Sequence, residues 1–109
     1  MNLTIDILNE PDKTVAVLSG EVDVYTAPQL KEALLDLVKH DNAMVVVDMA
    51  DVGYMDSTGL SVFISALKAG KEHDSHLKLI NLQDSVTRLF DITGLDKVID
   101  INASIRGGS

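Results

Sequence analysis

The chain of 109 residues contains no cysteine. Disulfides and thiolate metal sites are excluded, and the composition fits a reducing compartment such as the cytoplasm. No apolar run approaches the roughly 20 residues that a membrane-spanning helix needs. The N-terminus lacks the basic and apolar regions of a signal peptide. Basic residues are also few: 9 Lys and Arg stand against 17 Asp and Glu, for a formal net charge of −8. A nucleic-acid surface requires clustered cations and is not expected. The acidic balance suits a meeting with a basic partner surface. Histidine is sparse too. His73 and His76 straddle a predicted helix break, and His40 falls in the last turn of a predicted helix, so no metal-ligand spacing results.

What remains is a globular composition, 46% apolar with mixed charges, in a length that suits one domain. Leu3, Ile5 and Ile7 alternate with polar residues, as in a half-buried strand. Pro11 and Asp12 mark a turn, and Thr14–Leu18 is a second strand, antiparallel to the first. Thr26 and Gln29 form a capping-box pattern before the stripe Leu30, Ala33, Leu34, Leu37 and Val38. Leu77–Ile80 predicts a fourth strand. Asp84 or Ser85 can cap a helix that ends at Gly94, and Val98–Ile101 predicts a short last strand. An ordered core over about residues 3–101 and a frayed tail over 103–109 are expected. A hairpin followed by βα units implies an α/β domain: a mixed sheet, right-handed crossovers and three main helices.

The segment from Met44 to Lys71 carries the most chemistry. Met44–Val47 is an apolar, β-branched run that reads as a buried strand, and Asp48–Tyr54 reads as a loop. Leu60, Phe63, Ile64 and Leu67 then form the stripe of an amphipathic helix. Ser57 falls where that helix begins. Two readings of it are compatible. It is an N-cap whose hydroxyl accepts from a first-turn amide, or an exposed hydroxyl open to modification, where the helix start favours an anion.

Three ordered segments resemble one family. Tyr54-Met55-Asp56-Ser57-Thr58-Gly59-Leu60 is similar to the phosphorylation motif of the anti-sigma factor antagonists of Gram-positive bacteria, which are single STAS domains. Gly20–Asp23 with Thr26-Ala27-Pro28 resembles the first strand-to-helix loop of that family, and Arg88–Leu95 its last helix. The likeness runs from about Leu3 to Ile101. The Asp23–Pro28 segment places it nearer the general-stress, sigma-B type than the sporulation type.

The resemblance implies a switchable binding module and not an enzyme. Its unphosphorylated form binds an anti-sigma factor that is also a serine kinase, and so frees the sigma factor. That kinase phosphorylates Ser57 with its own ATP and Mg²⁺, leaving this chain without a cofactor or metal of its own, and a serine phosphatase reverses the step. Thr58 is a rival acceptor that the residues alone do not exclude. The implied partner surface comprises Glu21, Asp23, Tyr25, Thr26, Met55, Asp56, Ser57, Thr58 and Gly59. Tyr25 and Met55 are expected as exposed contacts, Phe63 as core, and Glu21 and Asp23 as loop carboxylates with Asp23 bordering Ser57. A cytoplasmic protein, monomeric when free, is expected.

Other chemistries fit less well. The extra residue between Asp56 and Gly59 departs from an aspartic-protease loop, and Met55 stands where a nucleophile elbow needs glycine. A receiver-type phosphoacceptor at Asp48 lacks its acidic pair, since Leu8-Asn9-Glu10 supplies one acid only and precedes a hairpin rather than a helix. A STAS module in a stress-signalling scaffold and, less favoured, a receiver-like phosphoacceptor domain are the alternative readings, and a small-molecule-binding role is neither suggested nor excluded.

Overall fold

A computed structural model describes residues 2–103 of the chain. Strands β1 (Leu3–Asn9) and β2 (Thr14–Val22) form the expected hairpin, paired from Leu3 opposite Gly20 to Asn9 opposite Thr14. Next come α1 (Ala27–Val38), β3 (Met44–Met55), α2 (Ser57–Glu72), β4 (His76–Leu82), α3 (Asp84–Thr93), a 3₁₀ turn (Leu95–Lys97) and β5 (Asp100–Ala103). From β2 onward all neighbouring strands are parallel.

The sheet order is β1-β2-β3-β4-β5, the order of the sequence. Right-handed crossovers that always advance in one direction deliver every helix to the same face. The packing agrees. Val45, Val47 and Met49 of β3 point inward with no exposed surface, together with Ala16, Leu18 and Leu79. Phe63 of α2 meets Phe90 of α3 beneath the sheet, ring centroids 5.9 Å apart in a tilted pair. The alternate residues Leu8, Val17, Asp48, Lys78 and Ile80 lie on the opposite face and are half-buried or exposed.

Two glycines answer to backbone need. Gly20 has φ +127, and a Cβ there would lie 2.1 Å from the Asn2 carbonyl oxygen. Gly94 caps α3 in the left-handed region at φ +78, as expected.

Several boundaries differ from the sequence reading. Asp48–Tyr54 is not a loop, because β3 continues to Met55 by pairing with an equally extended β2. Register irregularities between Val17 and Ser19 and between Gly20 and Glu21 accommodate one extra β3 residue within Met49–Ala50 and another at Gly53. The cap of α3 is Gln83, with Asp84 in the first turn where its charge suits the dipole. Val98 and Ile99 close the 3₁₀ turn by bonding back to Leu95, so β5 begins only at Asp100. Ala103, expected in the tail, pairs with Leu82, and the rest of that tail, 104–109, lies outside the described residues.

Candidate functional site

The pairing of β3 with β4 stops at Asp48 opposite Ile80, whereas that of β2 with β3 runs on to Val22 opposite Met55. Two strands thus project past the rest of the sheet. Their tips place the β2–α1 loop beside the start of α2, and the Asp56 amide donates to the Val22 carbonyl at 3.2 Å.

At the start of α2 the N-cap is Asp56, not Ser57. Its carboxylate accepts from the Thr58 amide at 3.0 Å and from the Thr58 hydroxyl. The Gly59 amide turns back to the Asp56 carbonyl at 3.0 Å. Ser57 is the first helical residue and is exposed. Its carbonyl accepts from the Ser61 hydroxyl at 3.2 Å, while among the described residues no hydrogen bond engages its own hydroxyl. A carboxylate caps a helix better at the preceding residue, where the extended φ of −115 and ψ of −169 aim it back at the amides. The anion-binding donors at this helix start are therefore partly committed: the Thr58 and Gly59 amides already have acceptors.

The β2–α1 loop is a clasp. Asp23, only 7% exposed, accepts from the Tyr25 amide at 2.9 Å and the Thr26 amide at 3.1 Å. The Thr26 hydroxyl donates to the Glu21 carbonyl at 2.8 Å and accepts from the Asp23 amide at 3.0 Å. Asp23 is thus not a solvated loop carboxylate, and Thr26 does not form a capping box. Gln29, its expected reciprocal partner, instead reaches across to the Leu3 carbonyl at 3.1 Å. At the tip of the clasp Tyr25 is 82% exposed, as anticipated, and so is Val24 at 60%.

Met55 is not an exposed contact; it is buried under α2. Gly59 is buried against it, where a Cβ would stand 2.6 Å from Met55 Cγ and 2.9 Å from Val22 Cγ1. The expected partner residues therefore divide. Tyr25, Ser57, Glu21, Asp56 and Thr58 reach the surface in whole or part, whereas Asp23, Thr26, Met55 and Gly59 shape it from beneath. Phe63 is core, as expected. Val24, beside Tyr25 at the loop tip, and Tyr54, opposite Glu21 in the β2–β3 register and 49% exposed, escaped sequence reasoning. A loop apolar residue next to an exposed aromatic was the available signal for Val24.

Asp48 lies mid-strand on the face opposite α1, α2 and α3, its carboxylate accepting from the Ala50 amide at 3.1 Å and the Asn81 side chain at 3.2 Å. Glu10 sits in the hairpin turn, near the strand ends opposite to this site. The two acids do not converge as a phosphoacceptor site would require. Among the described residues no group of three metal-ligating side chains converges.

Residues 4–107 match the STAS domain family. The anti-sigma-B factor antagonist of Bacillus subtilis (strain 168) is 44% identical over 108 residues, 99% of this chain and 98% of its own. That of Listeria monocytogenes is 42% identical over 102 residues, 93% of this chain and 90% of its own. The crystal structure of an anti-sigma factor antagonist from Mycobacterium paratuberculosis superposes with a TM-score of 0.81 at 25% identity, covering 92% of this chain and 85% of that one. With fold and motif alike in agreement over nearly the whole length, the chain belongs to the STAS domain family, similar throughout to members named anti-sigma-B factor antagonists.

Proposed function

We propose that this protein is an anti-sigma factor antagonist switched by phosphorylation of Ser57. The observation that carries the proposal is the contrast at the start of α2: an exposed, unengaged Ser57 hydroxyl beside a Thr58 hydroxyl already held by Asp56. An acceptor must approach a phosphorus atom in line; a free hydroxyl can turn to do so, whereas the Thr58 hydroxyl must first leave Asp56. The names of its near-full-length relatives support the same role.

The unphosphorylated form docks on an anti-sigma factor that is also a serine kinase, and the sigma factor is released. The kinase, holding its own ATP and Mg²⁺, transfers the γ-phosphoryl group to Ser57 Oγ: the bond from the γ-phosphorus to the β-phosphate oxygen breaks, ADP leaves, and the hydroxyl proton passes to a base of the kinase. A serine phosphatase hydrolyses the ester and resets the switch.

Phosphate adds nearly two negative charges. With the Thr58 and Gly59 amides already bonded and Asp56 adjacent, little of that charge is neutralised locally. It opposes docking by bulk, desolvation and repulsion from acidic groups of the partner. A switch of tenfold to a thousandfold requires only about 1.4–4 kcal/mol. The fold itself has no reason to change.

Incubation with host cytosol and Mg-ATP, followed by phosphopeptide mass spectrometry, tests the proposal. Phosphate on Ser57 is expected. No phosphate in the presence of an active kinase would overturn it. Pull-down from the same cytosol should return a sigma-factor-binding kinase; a large scaffold complex in its place would assign the domain to a different stress assembly.

A further inference from the structure

Beyond Ser57, we infer that the groove between α1 and α2 is the anchoring point of the partner kinase, and that it receives an apolar side chain flanked by a carboxylate. The inference rests on the docking reading above and names the chemistry of that contact.

A cavity of about 450 Å³ opens between the two helices. Pro28 and Val62 give it apolar walls, Val24 stands at its rim, and Thr58 and Ser65 mark its two ends along α2. Such a concave, mostly apolar surface with a few polar groups is a recognition feature. Val24 and the adjacent Tyr25 are among the most exposed large apolar residues of the molecule. Their backbone is nonetheless fixed by the buried Asp23–Thr26 clasp. An exposed apolar pair on a pre-ordered loop loses little freedom on binding, which is the property of an interface anchor.

Lys31 supplies the charge complementarity. It lines the groove in a chain whose net charge is −8, and among the described residues no carboxylate lines the groove beside it. Its ammonium therefore selects an acidic neighbour for the apolar occupant. The groove also joins the Ser57 site, because Thr58, one residue on, lines its end. A phosphate on Ser57 stands at the threshold of the surface it must close.

Ser65 and Lys31 separate this inference from the Ser57 switch. Ser65 lies two turns along α2 from Ser57, about 12 Å at 1.5 Å per residue. In a binding titration of the full chain against the host's anti-sigma-B factor, Ser65→Phe fills the groove and should weaken affinity at least tenfold. Lys31→Glu should do the same, and Lys31→Met should reduce the salt dependence of binding. Wild-type affinity for Ser65→Phe and Lys31→Glu, with Ser57→Asp still impaired, would show that docking bypasses the groove and would overturn the inference alone. Full affinity for Ser57→Asp as well, or no binding by the wild type, would overturn the function reading with it. If melting shows that Ser65→Phe fails to fold, the exposed Lys31 variants decide the matter.

Discussion

The Asp56 carboxylate holds both the amide and the hydroxyl of Thr58, so that Ser57 stands unengaged between two residues tied to each other. One acid thereby caps a helix and withholds the rival acceptor. Asp56→Ala should cost about 1 kcal/mol of stability through the lost cap. At this size that lowers the melting temperature by roughly 4–8 °C. The same variant frees the Thr58 hydroxyl, so phosphopeptide mapping after kinase treatment should find a second phosphate on Thr58. Asp56→Asn keeps a capping oxygen and should melt close to wild type.

Charge at Ser57 should act on binding and not on folding. Ser57→Asp puts a carboxylate at the first helical position, where the dipole favours it by about 0.3–1 kcal/mol and the adjacent Asp56 carboxylate opposes it. Urea denaturation should therefore find it close to wild type in stability, while its affinity for the kinase falls tenfold or more. Ser57→Ala should bind like wild type and accept no phosphate. Large amide chemical-shift changes far from α2 in the phosphorylated protein would contradict a rigid switch.

Gly59 is a packing residue. Alanine is the better helix former by about 1 kcal/mol. Its Cβ would nevertheless crowd Met55 Cγ at 2.6 Å and Val22 Cγ1 at 2.9 Å. Gly59→Ala should be destabilising by about 1–3 kcal/mol. A double-mutant cycle with Met55→Ala provides the check: the cost should shrink when the Cβ can enter the vacated space.

Thr26→Val keeps the shape of the clasp and deletes its hydroxyl. The Asp23 amide and the Glu21 carbonyl then lose their partner, at a cost of about 1–3 kcal/mol if they stay buried. Amide hydrogen exchange should rise at Val24, Tyr25 and Thr26 before any other loop, and the off-rate from the kinase should increase more than the global stability falls.

Much of this architecture was legible from periodicity. Leu60, Phe63 and Leu67 announced α2, and the alternation of Leu3, Ile5 and Ile7 announced β1, because burial of one face repeats with the geometry of the element. The errors came where distant partners override local chemistry. Asp51 and Gly53 look like loop residues, but β2 pairs alongside them and holds them extended. Gln29 fits a capping box until the Leu3 carbonyl competes for its side chain. Asp56 and Ser57 are both good caps, and only backbone angles decide between them. At the candidate site, the motif grouped the residues without separating surface from support. Met55 is buried with Gly59 against the distant Val22, and Asp23 folds back on Tyr25 and Thr26 in a clasp that residue types alone do not announce.

The sequential strand order bears on how fast the domain forms. Every strand pairs only with strands adjacent to it in the chain, so no pairing waits on a distant segment. Each loop to be closed is a hairpin or a single crossover, and rates rise when contacts are local in sequence. During synthesis each βα unit can add to a sheet edge already in place, and the β2–β3 pair that leads into Ser57 precedes β4 and β5 in the chain. The strands that present the switch thus pair without waiting for any strand that follows them.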